Sequence, residues 1–287
     1  MLVLWCVTLV WAFSFSLIGV YLAGQVDGYF AVMARMALAA LVLLPFFRPG
    51  KLGKGLMMKL MAIGAVQIGL MYLFLYQSFL FLSVAEVLFF TIFTPVYISL
   101  IQIALTPKVF TLQLMVSIGL AVGASALMRY YSLSDTFWLG AGLVQLANLC
   151  FALGQVAYRE VRKTDTSKPQ EGFACFFLGA LLVSGITFLC IGDYSALPDT
   201  HIQWLVLVWL GVGASGAGYL CWAWASTRVN IGQLAVMNNL LIPAGLIVNL
   251  VFWGNHVKWL HLVVGTAVLL VALYLCRERS ALVEKQG

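Results

Sequence analysis

Ten long apolar stretches run along the chain, at about residues 2–24, 29–47, 58–81, 84–105, 110–128, 136–157, 171–192, 202–225, 231–253 and 259–276, with short polar connections between them. A helix rises about 1.5 Å per residue and a bilayer's hydrocarbon core is about 30 Å thick, so each stretch is long enough to cross once. The pattern predicts an all-α membrane protein of ten transmembrane helices, with no extramembrane domain of useful size. The first stretch lacks a basic leader and exceeds the roughly 7–15 apolar residues of a secretion signal, so it is expected to be an uncleaved first span.

Composition agrees with that pattern. Of 287 residues, 63% are apolar and only 9% charged, against about 45–50% and 25% in soluble domains, and mean hydropathy is +1.02. Soluble enzymes and nucleic-acid binders are excluded by this balance. The net charge of +6 is informative through its placement: 13 of the 16 basic residues lie on the connections after segments 2, 4, 6 and 8 and on the tail. By the positive-inside rule both termini are expected in the cytoplasm, with the chain in a bacterial inner (plasma) membrane. The charge therefore reports topology rather than a polyanionic partner. The six cysteines fall within or at the ends of spans without C-x-x-C or histidine spacing, so they read as packing residues, with no metal and no cofactor expected.

Internal repetition comes next. At an offset of about 148 residues, Tyr72 matches Tyr219, Pro95 matches Pro243, Leu112-Gln113-Leu114 matches Leu260-His261-Leu262, and Arg129 matches Arg277. These matches predict two five-helix repeats, residues 1–131 and 132–287. Five is odd, so the second copy would enter the membrane from the other side. Inverted repeats are a transporter signature, since exchanging the conformations of two similar halves moves access from one face to the other.

With Leu9-Val10-Trp11-Ala12 in segment 1, Ala34-Arg35-Met36 in segment 2 and a mid-helix proline in segments 4 and 9, the chain resembles the drug/metabolite transporter superfamily in its ten-helix form with two EamA-type domains. The resemblance implies secondary transport of metabolites, amino acids and drugs, often as export. Members often carry a Gly-Glu pair after spans 4 and 9, where this chain has Thr106-Pro107 and Asn255-His256.

Pro95 and Pro243 point to a site. Each removes a helical donor and should free the carbonyl four residues earlier, those of Thr91 and Asn239, near the bilayer midplane. A simple kink is the alternative. Asn148 and Gln155 share a face of segment 6, and Asn238 adjoins the second break. Trp11, Tyr72, Phe74, Tyr76, Tyr219 and Trp222 supply aromatic surface, which favours an apolar or cationic solute. Arg35, about six residues into segment 2, either snorkels outward or holds a substrate carboxylate, and one arrangement pairs it with Glu86. Glu86 itself is either a coupling acid or the cap of Ser83-Val84-Ala85-Glu86. Gly211-Val-Gly213-Ala-Ser-Gly216 imitates a dinucleotide loop but lies inside segment 8 with no strand before it, so close helix packing is its expected role.

The expected function is alternating-access transport of small organic metabolites, most narrowly export of amino acids or similar zwitterions. The partners are a small-molecule substrate and the lipid bilayer, with proton coupling and a homodimer left open. A passive channel or facilitator is the main alternative, and a membrane-embedded enzyme is the third.

Overall fold

The computed structural model describes residues 1–105, 137–165, 167–229 and 231–254, with isolated helical positions at 119, 263, 264, 267 and 271. Segments 5 and 10, Arg129, Arg277 and the boundary at 131/132 lie outside the described residues. Within the described residues the protein is all-helical, and eight helices are long and apolar enough to cross a membrane. We number them α1 (Leu2–Leu22), α2 (Gly28–Phe46), α3 (Lys54–Ser78), α4 (Val84–Gln102), α5 (Phe137–Thr164), α6 (Pro169–Ile191), α7 (His201–Ser226) and α8 (Val236–Trp253). They match segments 1–4 and 6–9.

The helices are apolar outside as well as inside, as lipid requires. Leu9, Leu41, Leu100, Leu146, Leu182 and Leu189 face outward, while Arg35, Gln67, Asn148, Gln155 and Asn239 are buried. The connections sort onto two faces. Lys51, after α2, bonds Glu171 at the start of α6 at 2.7 Å, which places two basic connections together. On the other face the Asp27 amide donates to the Ala196 carbonyl at 2.7 Å.

Helices approach closely where side chains vanish. A Cβ on Gly64 would land on the backbone of Phe176, and one on Gly179 on the backbone of Met61, so α3 and α6 touch main chain to main chain. The Gly211–Gly216 run does the same against α2: Cβ atoms there would meet Leu38 and approach Ala39.

Two kinds of irregularity interrupt the helices. Wide π turns occupy Ala65–Leu70 of α3 and Trp209–Ala217 of α7; such turns leave backbone groups off the usual ladder and recur at functional sites. The prolines break the other two. In α4 the helix Val84–Phe90 passes through a tight turn, Thr91–Phe93, before restarting at Thr94. In α8 the helix Ile231–Asn239 stops and Leu241–Trp253 begins. Both Pro95 and Pro243 are buried within the protein rather than facing lipid.

Candidate functional site

The two breaks meet. The Asn239 amide donates to the Ile92 carbonyl at 3.4 Å, joining the interruption in α8 to that in α4. The carbonyls that need partners differ from those expected. Thr91's carbonyl is taken up by the Thr94 amide within the tight turn, while those of Phe90 and Ile92 also accept from side chains. Phe90's accepts from Asn148 at 2.7 Å and Gln145 at 3.2 Å, both on α5. Asn148 also accepts from the Thr94 hydroxyl at 3.2 Å. Its amide is therefore a cap for the broken helix, and only its outer edge is left for a solute.

A central cavity lies beside this junction, with about 610 Å³ of unfilled space including its mouth. Of the expected site residues, Trp11, Arg35, Tyr72, Thr91, Asn148, Tyr219 and Asn238 line it. Ser14, Phe15, Thr94 and Phe151 join them.

Arg35 is the dominant charge. It is 0% exposed, so it does not snorkel. Its Nε donates to the Ser215 hydroxyl at 2.6 Å and its Nη2 to the Tyr72 hydroxyl at 2.6 Å. The guanidinium carbon stands 3.9 Å from the Tyr72 ring centre. Nη1, and the Tyr76 hydroxyl beside it, make no hydrogen bond of good geometry. None of the described cavity-lining residues is acidic. The π turn in α7 explains Ser215: with glycines on either side, the helix settles against α2 and brings the hydroxyl to Arg35.

Aromatic rings form one wall. Trp11 lies 4.8 Å from Tyr219 and 4.7 Å from Trp222, centre to centre, and donates its indole N–H to the Ala214 carbonyl at 3.0 Å. Phe151 meets Trp11 edge-on at 6.2 Å. The wall is apolar and already supplied with its own hydrogen bonds.

Several expectations are corrected. Arg35 and Glu86 do not pair: Glu86 accepts from the Ser83 amide at 2.9 Å and hydroxyl at 2.8 Å, completing the capping box at the start of α4. Phe74 is half-buried and away from the cavity. Tyr76 and Asn239 are buried beside it without lining it. Gln155 and Trp222 belong to a separate, smaller chamber that Tyr219 also lines. Thr94 and Phe151 were missed, although Thr94 adjoins Pro95 and that adjacency was a usable signal.

Comparison with known proteins adds the following. A model of the EamA-like transporter family matches residues 138–277. Proteins named biotin transporter from Salmonella typhimurium (strain LT2) and Escherichia coli (strain K12) are 43% and 42% identical over 271 residues, covering 94% of this chain and 91% of each relative. A protein named probable biotin transporter from Pseudomonas aeruginosa is 44% identical over 273 residues, covering 94% and 95%. A solved crystal structure of another protein, 15% identical, superposes with a TM-score of 0.77 over 96% of both chains, a likeness of fold alone.

Proposed function

This chain belongs to the EamA-like transporter family, within the drug/metabolite transporter superfamily, and is a multi-pass membrane transporter of small molecules rather than an enzyme; from that premise we propose that its substrate is biotin. Arg35 carries this reading. A wholly buried guanidinium is costly unless an anion completes it, and Nη1 makes no hydrogen bond of good geometry within the chain. Biotin brings one carboxylate on an apolar chain, and the Trp11, Phe151 and Tyr219 wall suits the chain and fused rings behind it.

An amino acid fits less well. Its ammonium would need an anion, and none of the described lining residues supplies one. The same absence argues against a proton-carrying acid inside the cavity, and Glu86 is occupied as a cap. Alternating access between the two inverted halves is proposed on the paired breaks, which meet at the cavity as the midplane helix interruptions of transporters do. The basic connections support a reading with both termini on the cytoplasmic side of an inner membrane.

The test is counterflow: labelled biotin outside liposomes loaded with unlabelled biotin. We expect saturable, trans-stimulated uptake that excess biotin competes and amino acids do not. Uptake without trans-stimulation would favour the passive facilitator, and no uptake would remove biotin as the substrate.

A further inference from the structure

We propose that the small chamber behind Tyr219 is a second subsite on the substrate's path, built to take a urea or amide group; this rests on the biotin reading above. The chamber has about 230 Å³ of unfilled space including its opening, and Gln67 and Gln155 both line it, together with Trp222 and Tyr158. Both glutamines are almost wholly buried, at 5% and 2% exposure.

The orientation of Gln155 is fixed by chemistry. Trp222 can only donate, and its indole N–H reaches the Gln155 Oε1 at 2.9 Å, so the Gln155 Nε2 points the other way. That Nε2 has no acceptor, and the Gln67 Oε1 has no donor. The two are not bonded to each other. One unused donor and one unused acceptor in the same buried chamber form the complement of an N–H beside a C=O, which is the edge of a cyclic urea or a secondary amide. Leaving both groups unpaired costs stability in any buried setting. The π turn at Ala65–Leu70 carries Gln67, and Gly154 makes room for it, since a Cβ there would overlap the Gln67 side chain.

The chamber also sits where a second station should. Tyr219 lines both spaces, so its ring is the partition between them. Tyr158, Phe173 and Ser226 lie near those ends of α5, α6 and α7 that lead to basic connections. Ser14 and Ile18 of the main cavity lie toward the opposite end of α1. A substrate captured by its carboxylate at Arg35 therefore meets a small polar chamber next, in the direction of the basic face.

The experiment is competition against labelled-biotin counterflow with the full chain in liposomes. Desthiobiotin keeps the urea and the acid; 5-cyclopentylpentanoate keeps the acid and chain but has no urea. In the unaltered protein desthiobiotin should compete at least tenfold more strongly, by the general cost of leaving a site's polar groups unpaired. In Gln67→Met and in Gln155→Met the two should compete within about twofold of each other. Because both values come from one preparation, loss of folded protein cancels. Where a variant exchanges too slowly, the same ratio is read from the rise in Tm each compound gives the purified variant. A chamber holding only water leaves the ratio unchanged in both variants; that result, or no preference in the unaltered protein, overturns the proposal. Absence of biotin counterflow in the unaltered protein would instead overturn the substrate reading.

Discussion

Replacing Arg35 by methionine separates a binding role from a structural one, because the two predict changes of opposite kind. In the ligand-free protein the substitution removes a cation that has no anionic partner among the described residues. Exchange of a buried charge for an apolar side chain is generally neutral or stabilising. Against this, the Ser215 and Tyr72 hydroxyls each lose a donor, at about 1 kcal/mol apiece. The sum moves Tm by only a few degrees. With biotin the balance reverses, for the carboxylate would enter a cavity without a cation. Loss of a charge-assisted contact costs about 1.5–3 kcal/mol, and about 3 kcal/mol is roughly a hundredfold in affinity. At biotin equal to a hundred times the wild-type Kd, the ligand should stabilise the wild-type protein by about 2.7 kcal/mol and the variant by only about 0.4 kcal/mol. Thermal unfolding in detergent, with and without biotin, reads both numbers from the same sample. Biotinamide, which lacks the charge, should bind both proteins within about threefold. A variant that loses much of its ligand-free stability yet binds biotin as before would refute the assignment and make Arg35 a structural residue.

Two asparagines of equal chemistry should respond differently. Asn148→Leu leaves the Phe90 carbonyl with the weaker Gln145 contact and should cost about 1–3 kcal/mol in unfolding, whereas Asn239→Leu removes one long bond and an already unpaired Oδ1 and should cost under about 1 kcal/mol. Glu86→Gln should leave the counterflow rate and its pH profile unchanged, since glutamine also closes a capping box; a lost or displaced pH profile would restore Glu86 as a coupling acid. Gly179→Leu forces side-chain atoms onto the Met61 backbone and should cost at least about 1–3 kcal/mol of overpacking, seen as lowered Tm without a change in the biotin selectivity of whatever protein remains folded.

The eight described spans and the junction beside the central cavity were legible in the sequence for simple physical reasons. Lipid demands about 20 apolar residues per crossing, and proline cannot donate wherever it sits. From Pro95 and Pro243 alone the junction of α4 and α8 could be placed, and Trp11, Arg35, Tyr72 and Tyr219 gathered around it. Which carbonyls are freed was not legible. The turn at Thr91–Phe93 tightens rather than opens, so Thr91 is satisfied internally and the side-chain donors go to its neighbours instead. The π turns were hidden as well, because a widened helix has no sequence period of its own. Ser215 and Gln67 lie within those turns, the one reaching Arg35 and the other lining the smaller chamber. Phe74 failed for the converse reason, since a regular 3.6-residue projection carried it to a face the real α3 turns elsewhere.

The partners of the broken helix α4 come from the other half of the chain, and this has a mechanical consequence. Water could replace a lost cap in a soluble protein, but in a bilayer an abandoned carbonyl is expensive unless a wet cavity lies beside it. Here the Phe90 carbonyl is held twice by α5 and the Ile92 carbonyl once, at 3.4 Å, by Asn239 of α8. The strengths are unequal, so relative motion of α4 and α8 sacrifices a weak contact next to the cavity, where solvent or substrate can replace it, while the stronger α4–α5 contact stays. A junction that is firm on one side and loose on the other can hinge without exposing bare backbone to lipid.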